Sequence, residues 1–171
     1  MNRDFRTIFF TVLTMAICIL LQSTILGKIA IRGVRPDLAL IALIFVSMRR
    51  GPMVGQISGF ATGFLEDLMN ISPLGFHSLL RTVIGYVYGL LSGNVFIDPI
   101  LMPIILTVIA TILKGILAGI VSALFGLAAS GFITFTGRLW IEVGYNGAIA
   151  PFFFALLSLF KMFRQADKEG A

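Results

Sequence analysis

Several ionisable side chains lie within or beside apolar stretches of this chain, where a charge needs a partner, and five of them are candidates for one polar network. The acids Glu66 and Asp67 end one apolar segment, His77 and Arg81 lie at the start of the next, and Lys114 interrupts a third. A charge inside a membrane is costly unless it is paired or in contact with water. Such residues can form ion pairs that hold helices together, or a polar cavity that binds a ligand.

The spacing of these residues predicts which of them meet. Asp67 continues one row of residues four apart, Arg81 continues another, and a short turn joins the two segments. Because residues four apart share a helix face, Asp67 is expected to face His77 or Arg81. A structural ion pair between the segments is the favoured interpretation, and a ligand-binding polar cavity is the alternative. Glu66 points in another direction and is expected to turn toward Lys114.

The sequence contains no recognisable catalytic or metal-binding constellation. His77 is the only histidine, and the only cysteine, Cys18, is far from it in sequence, so a metal site would lack ligands. An HExxH motif, a serine-histidine-aspartate order and a phosphate-cradling glycine loop are all missing. We therefore expect no catalytic residue, metal or cofactor. His77 is interpreted as a hydrogen-bonded structural residue and Cys18 as a small residue facing lipid or the core.

Glycines recur at every fourth residue on both sides of the turn. They are Gly51, Gly55, Gly59 and Gly63 before it, and Gly85, Gly89 and Gly93 after it. Glycine within a helix costs about 1 kcal/mol relative to alanine, but in a bilayer small residues let helix backbones approach closely. The pattern predicts two helices packed along glycine rows, with Gly55, Gly59 and Gly63 on one and Gly85 and Gly89 on the other. A second close approach is predicted at Gly115 and Gly119.

The composition is that of an integral membrane protein. Of the 171 residues, 58% are hydrophobic and only 12% are charged, and the mean hydropathy is +1.01. There is no long polar segment, so one membrane domain over 1–171 is predicted, without a soluble domain. The net charge of +5 is not arranged as a basic run with interleaved aromatic residues, which argues against nucleic-acid binding.

The apolar runs predict an all-α bundle of six transmembrane helices. Their predicted ranges are 7–26, 36–48, 52–69, 74–92, 100–129 and 145–163. The second begins with Pro36 in its first turn, and its length of about 20 Å falls short of the roughly 30 Å hydrocarbon core. Residues 130–144 are predicted to be a loop, in which Arg138, Trp140 and Glu142 anchor the chain at the membrane interface.

Six spans place both termini on the same side of the membrane. If the N-terminus is inside, the inner basic residues are Arg3, Arg6, Arg49, Arg50, Lys161, Arg164 and Lys168. The outer basic residues are then Lys28, Arg32, Arg35 and Arg138. Because cytoplasmic loops carry an excess of lysine and arginine, this distribution predicts that both termini are cytoplasmic.

An ordered set of short motifs resembles a known family. The set consists of Arg35-Pro36-Asp37, Arg49-Arg50-Gly51-Pro52, the glycine row that leads to Asp67, Pro73-Leu74-Gly75 with His77, and Gly85-Tyr86 with Gly89. In this order the motifs resemble MreD, the rod shape-determining proteins of the bacterial inner membrane. The chain length and the number of spans agree with that family. The doubled acid at Glu66 and Asp67 departs from the single aspartate expected there.

The resemblance implies a non-enzymatic subunit of the bacterial cell-elongation complex. It implies that the chain works with MreC and, through MreC, with the MreB filament, RodA and a class B penicillin-binding protein. It also implies a fold similar to the substrate-binding subunits of energy-coupling-factor vitamin transporters. A solute-binding transporter subunit is therefore the alternative function, and it would need a closed pocket with several convergent polar groups.

Overall fold

The computed structural model describes residues 3–24, 33–70, 72–93, 100–124 and 132–159. Over these ranges the chain is helical, with the elements α1 (Arg3–Thr24), α2 (Leu38–Arg50), α3 (Pro52–Met69), α4 (Phe76–Leu90), α5 (Leu101–Leu124) and α6 (Phe132–Ser158). The prediction of an all-α protein is confirmed for this part of the chain. By length and composition, two helical stretches are apolar enough to cross a membrane, namely Leu101–Leu124 and Gly137–Ser158.

Helix α2 lies at the centre of the bundle and contacts each of the other five helices. Every residue from Ala39 to Met48 is buried, which explains why its sequence is apolar on all sides. The helix begins at Leu38 rather than Pro36. Asp37 is the N-cap, and its side chain accepts a hydrogen bond from the backbone N–H of Leu40 at 2.9 Å.

Helices α3 and α4 pack backbone against backbone along their glycines. A Cβ atom would collide with backbone atoms of the facing helix at Gly55, Gly59, Gly63, Gly85 and Gly89. Gly55 and Gly85 face each other, and Gly59 faces the carbonyl group of Arg81. Residues with side chains would keep the two backbones further apart, so the separation of α3 and α4 depends on these glycines.

The two glycines of α5 differ from each other in their surroundings. A Cβ atom at Gly115 would lie 2.7 Å from Cδ1 of Leu139, so Gly115 approaches a flexible side chain of α6 rather than a backbone. No atom of the described residues lies within 4 Å of a Cβ atom built at Gly119. The close approach expected at Gly119 is therefore not found in this part of the structure.

Helices α4 and α6 also begin at residues other than those predicted. Helix α4 begins at Phe76 rather than 74, because Gly75 adopts a left-handed conformation with φ of 96° that ends the preceding turn. Helix α6 begins at Phe132, so the loop predicted over 130–144 is wrong for residues 132–144. Polar residues made this stretch resemble a loop, but Glu142 is accommodated in the helix because it pairs with a cation on α5.

The remaining predicted bounds agree more closely. Helix α3 matches its predicted range, and α1 begins four residues earlier than predicted. Helix α2 extends two residues further than predicted, to Arg50. The predicted helix ends at 125–129 and 160–163, and the basic residues Lys28, Arg32, Lys161, Arg164 and Lys168, lie outside the described residues.

Substitution of the glycines between α3 and α4 tests this packing. Gly59→Leu and Gly85→Leu are each expected to destabilise the protein, by about 1–3 kcal/mol or more, because the added side chain forces two backbones apart. The measurement is thermal unfolding of the detergent-purified protein. Gly119→Leu is the matched control and should unfold near the wild-type temperature. Wild-type stability of Gly59→Leu would contradict the backbone contact.

Candidate functional site

Asp37 lies at the centre of a buried ionic network. Its Oδ1 atom lies 3.0 Å from Nη2 of Arg81, and its Oδ2 atom lies 2.9 Å from Nζ of Lys114. The exposed fractions of Asp37 and Arg81 are only 6% and 2%. Because the two cations come from α4 and α5, this one carboxylate joins the start of α2 to both helices.

Two further acids complete the network. Oε2 of Glu66 lies 2.6 Å from Nη2 of Arg81, and Oε1 of Glu142 accepts a hydrogen bond from Nζ of Lys114. The expectation that Glu66 turns toward Lys114 is therefore wrong. Glu66 is on α3, which packs closely on α4 and its Arg81, whereas Lys114 is on α5, which packs mainly on α6. In their ionised forms the three carboxylates and two cations leave one net negative charge.

Asp67 contacts the N-terminus of α4 rather than Arg81. Its carboxylate accepts hydrogen bonds from the backbone N–H groups of Gly75, His77 and Ser78 at 3.0, 2.8 and 3.1 Å. These groups have no partner within the helix, and the positive end of the helix dipole favours an anion there. Oδ1 also lies 2.8 Å from Nδ1 of His77. Because a carboxylate can only accept, His77 carries a proton on Nδ1.

Amide side chains tie α1, α5 and α6 to the start of α2. Oδ1 of Asn146 accepts a hydrogen bond from the backbone N–H of Asp37 at 2.8 Å, and its Nδ2 donates to Oγ1 of Thr111 at 3.1 Å. Oε1 of Gln22 accepts from the backbone N–H of Leu38 at 3.0 Å. The backbone N–H groups of Asp37 and Leu38 are thus satisfied by side chains from α6 and α1.

A cavity of about 600 Å³ lies beside this network. It is at the end of the bundle where α1 and α3 end and where α2 and α4 begin, and α5 and α6 close its other sides. Its ionisable lining residues have both signs and are Arg35, Asp37, Glu66, His77, Lys114, Arg138 and Glu142. The ion pairs Asp37–Lys114 and Lys114–Glu142 therefore form part of the cavity wall.

The chemistry available in the cavity is binding by charge and hydrogen bonds. Within the described ranges, no group of three or more histidine, cysteine, aspartate or glutamate side chains is arranged to hold a metal ion. Cys18 is buried and is not a lining residue of the cavity. Nδ1 of His77 lies 2.8 Å from Oδ1 of Asp67 and 3.1 Å from Oγ of Ser72. Because both contacts use the same ring nitrogen, His77 does not connect the acid to the hydroxyl as the histidine of a catalytic triad does.

Sequence reasoning identified five members of this polar region and missed three. The five are Glu66, Asp67, His77, Arg81 and Lys114, and the three are Asp37 as a hub, Glu142 as an ion-pair partner, and Asn146. A signal for the last two is present in the sequence. Arg138, Glu142 and Asn146 are spaced by four residues, which places them on one helix face. The N-cap position of Asp37 could be read from its place before an apolar run.

A family model described as rod shape-determining protein MreD matches residues 3–160 of the 171-residue chain. No curated protein and no solved structure gives a significant match. The matched range contains all residues of the ionic network and all lining residues of the cavity.

A double-mutant cycle tests the ion pair between Lys114 and Glu142. Lys114→Met is expected to destabilise the protein, by less than the about 3–5 kcal/mol typical of a fully buried pair, because its side chain is 21% exposed. Adding Glu142→Leu should recover part of the loss, with a coupling of about 0.5–3 kcal/mol. The measurement is the unfolding free energy in detergent. The exposed Arg35→Met serves as a control, and additive losses would contradict the pair.

Proposed function

This chain belongs to the MreD family of rod shape-determining proteins, and we propose that it is a non-enzymatic membrane subunit of the bacterial cell-elongation complex. The family gives the chain a role in rod shape determination and a place in a membrane. In the proposed role its transmembrane helices pack against MreC. Through MreC the chain supports the MreB filament, RodA and a class B penicillin-binding protein. The family match is the observation that carries this proposal.

The outer surface of α1 supports a role in helix packing. Large apolar side chains spaced three or four residues apart are exposed along it, namely Phe9, Leu13, Ile17 and Leu20. Residues with this spacing form one helix face. In a bilayer such a face contacts either lipid or a helix of a partner, so a partner with a single transmembrane helix has a continuous surface to pack against.

The proposed topology has six spans, with both termini in the cytoplasm and the protein in the inner membrane. The basis is the excess of basic residues on one side and the alternation of the described helices. Arg49 and Arg50 end α2 and therefore lie at the cytoplasmic end of the bundle. The cavity then lies at the outer end, together with Arg35 and Arg138.

The cavity favours one alternative function, that of a solute-binding subunit of an energy-coupling-factor-type vitamin transporter. The six-helix arrangement proposed for those subunits and the volume of about 600 Å³ suit this function. However, the family model that matches the chain is described by rod shape determination and not by solute transport. We therefore favour the scaffold.

Deletion of the gene separates the two functions. We expect the deletion strain to form rounded cells through defective lateral wall growth, without a new requirement for a vitamin, because the scaffold acts on wall synthesis. Cell shape is measured by microscopy, and growth is measured with and without vitamin supplements. A strain that stays rod-shaped but requires a supplement would support the transporter subunit and contradict our proposal.

Cysteine labelling tests the orientation. In a Cys18→Ala background, Arg3→Cys and Lys168→Cys should not react with an impermeant thiol reagent added outside spheroplasts, because both positions are proposed to be cytoplasmic. Arg138→Cys is the matched control and should react, since Arg138 is exposed and is proposed to be outside. Labelling at position 3 or 168 in intact spheroplasts would overturn the orientation.

A further inference from the structure

Two pockets, one charged and one apolar, adjoin each other across the contact between α4 and α5. The charged pocket is the cavity described above. The other is a groove of about 400 Å³ lined mainly by apolar residues, among them Phe60, Leu74, Leu79 and Val121. Phe76 lines both pockets. A ligand that occupies both must therefore have a charged part and an apolar part.

The charged cavity offers partners for a cation. Glu66 and Glu142 line it, and their side chains retain 13% and 19% exposure despite their ion pairs. The network to which they belong has three carboxylates and only two cations, so one negative charge is not balanced within it. A primary ammonium group carries three N–H donors and the charge that this network lacks.

The same cavity offers partners for an anion. Arg35 and Arg138 are exposed lining residues, and neither forms an ion pair with an acid among the described residues. Arginine binds phosphate through two parallel N–H donors, which makes it suited to this anion. A ligand with both a phosphate and an ammonium group would thus use the two arginines and the two glutamates together.

The apolar groove supplies the place for a hydrocarbon chain. Leu74 and Leu79 are 70% and 49% exposed, so the groove lies on the outer surface of the bundle, which contacts lipid in a membrane protein. One hydrophobic cluster contributes to both linings, since Phe76, Leu80 and Ala118 line the cavity and Phe76 and Val121 line the groove. A molecule with its head in the cavity can therefore place a chain in the groove.

We propose that these two pockets form a binding site for a glycerophospholipid whose headgroup carries a phosphate and a primary ammonium. The phosphate binds Arg35 and Arg138, the ammonium binds the carboxylates of Glu66 and Glu142, and an acyl chain lies in the groove beside Phe76. A free phosphoethanolamine-like solute has the same headgroup chemistry but no use for the groove. The site is independent of the proposed scaffold function.

Native mass spectrometry of the delipidated, detergent-purified protein tests the site. The probes are phosphatidylethanolamine, phosphatidylglycerol and phosphatidylcholine with identical acyl chains, and soluble glycerophosphoethanolamine. We expect one phosphatidylethanolamine per chain, bound about tenfold more tightly than the other probes, because each of them lacks one charged hydrogen bond or the acyl chain. Equal affinity for the three lipids, or preference for phosphatidylglycerol or phosphatidylcholine, would overturn the proposal. Equal binding of the soluble probe would identify a solute site instead.

Matched variants test the two halves of the site separately. Arg138→Gln is expected to weaken phosphatidylethanolamine binding about tenfold, and Arg138→Lys should restore part of it. Leu79→Trp should fill the groove and weaken binding as well. The controls are Arg50→Gln, at the other end of α2, and Leu90→Trp, an exposed residue of α4 outside the groove. Unchanged binding in Arg138→Gln or Leu79→Trp, or equal losses in the controls, would overturn the site.

Discussion

Neutralisation of Asp37 is the constraint on which the arrangement of the helices depends. Asp37 lies at the start of the central helix and is almost fully buried, so its charge is stable only beside cations. Arg81 and Lys114 reach it from two other helices, and Glu142 holds Lys114 from a third. A shift of α4 or α5 along its axis would separate these charges, so the network fixes the positions of the helices relative to α2.

The glycine contact and the ionic network depend on each other. Gly59 faces the carbonyl group of Arg81, so the backbones of α3 and α4 touch at the residue that carries the guanidinium group. This contact leaves no room for a side chain between the backbones, and the guanidinium group of Arg81 reaches Glu66 and Asp37. Wider separation of α3 and α4 would also draw Arg81 away from Glu66. The small residues therefore contribute to ion pairing as well as to packing.

The sequence predicted contacts within a helix or across one turn better than contacts between distant segments. The range of α3 and the four-residue spacing of its glycines are local features that can be read directly. Asp37 is separated by 44 residues from Arg81 and by 77 from Lys114, and no local spacing reports such pairs. Asp67 was expected to face His77 or Arg81, and it binds His77. Helix α4 begins at Phe76 rather than at the predicted residue 74, so the free backbone N–H groups of its first turn lie within reach of the Asp67 carboxylate.

The position of the cavity connects binding to the arrangement of the bundle. Glu66, Lys114 and Glu142 line the cavity and also hold α3, α4, α5 and α6 around α2. If the bundle exchanges between a closely packed and a looser arrangement, a ligand shifts that equilibrium only by the difference in its affinity for the two arrangements. An ammonium group placed between Glu66 and Glu142 would interact most strongly when both carboxylates converge. It would therefore favour the bundle in which α3 and α6 are held close to the network.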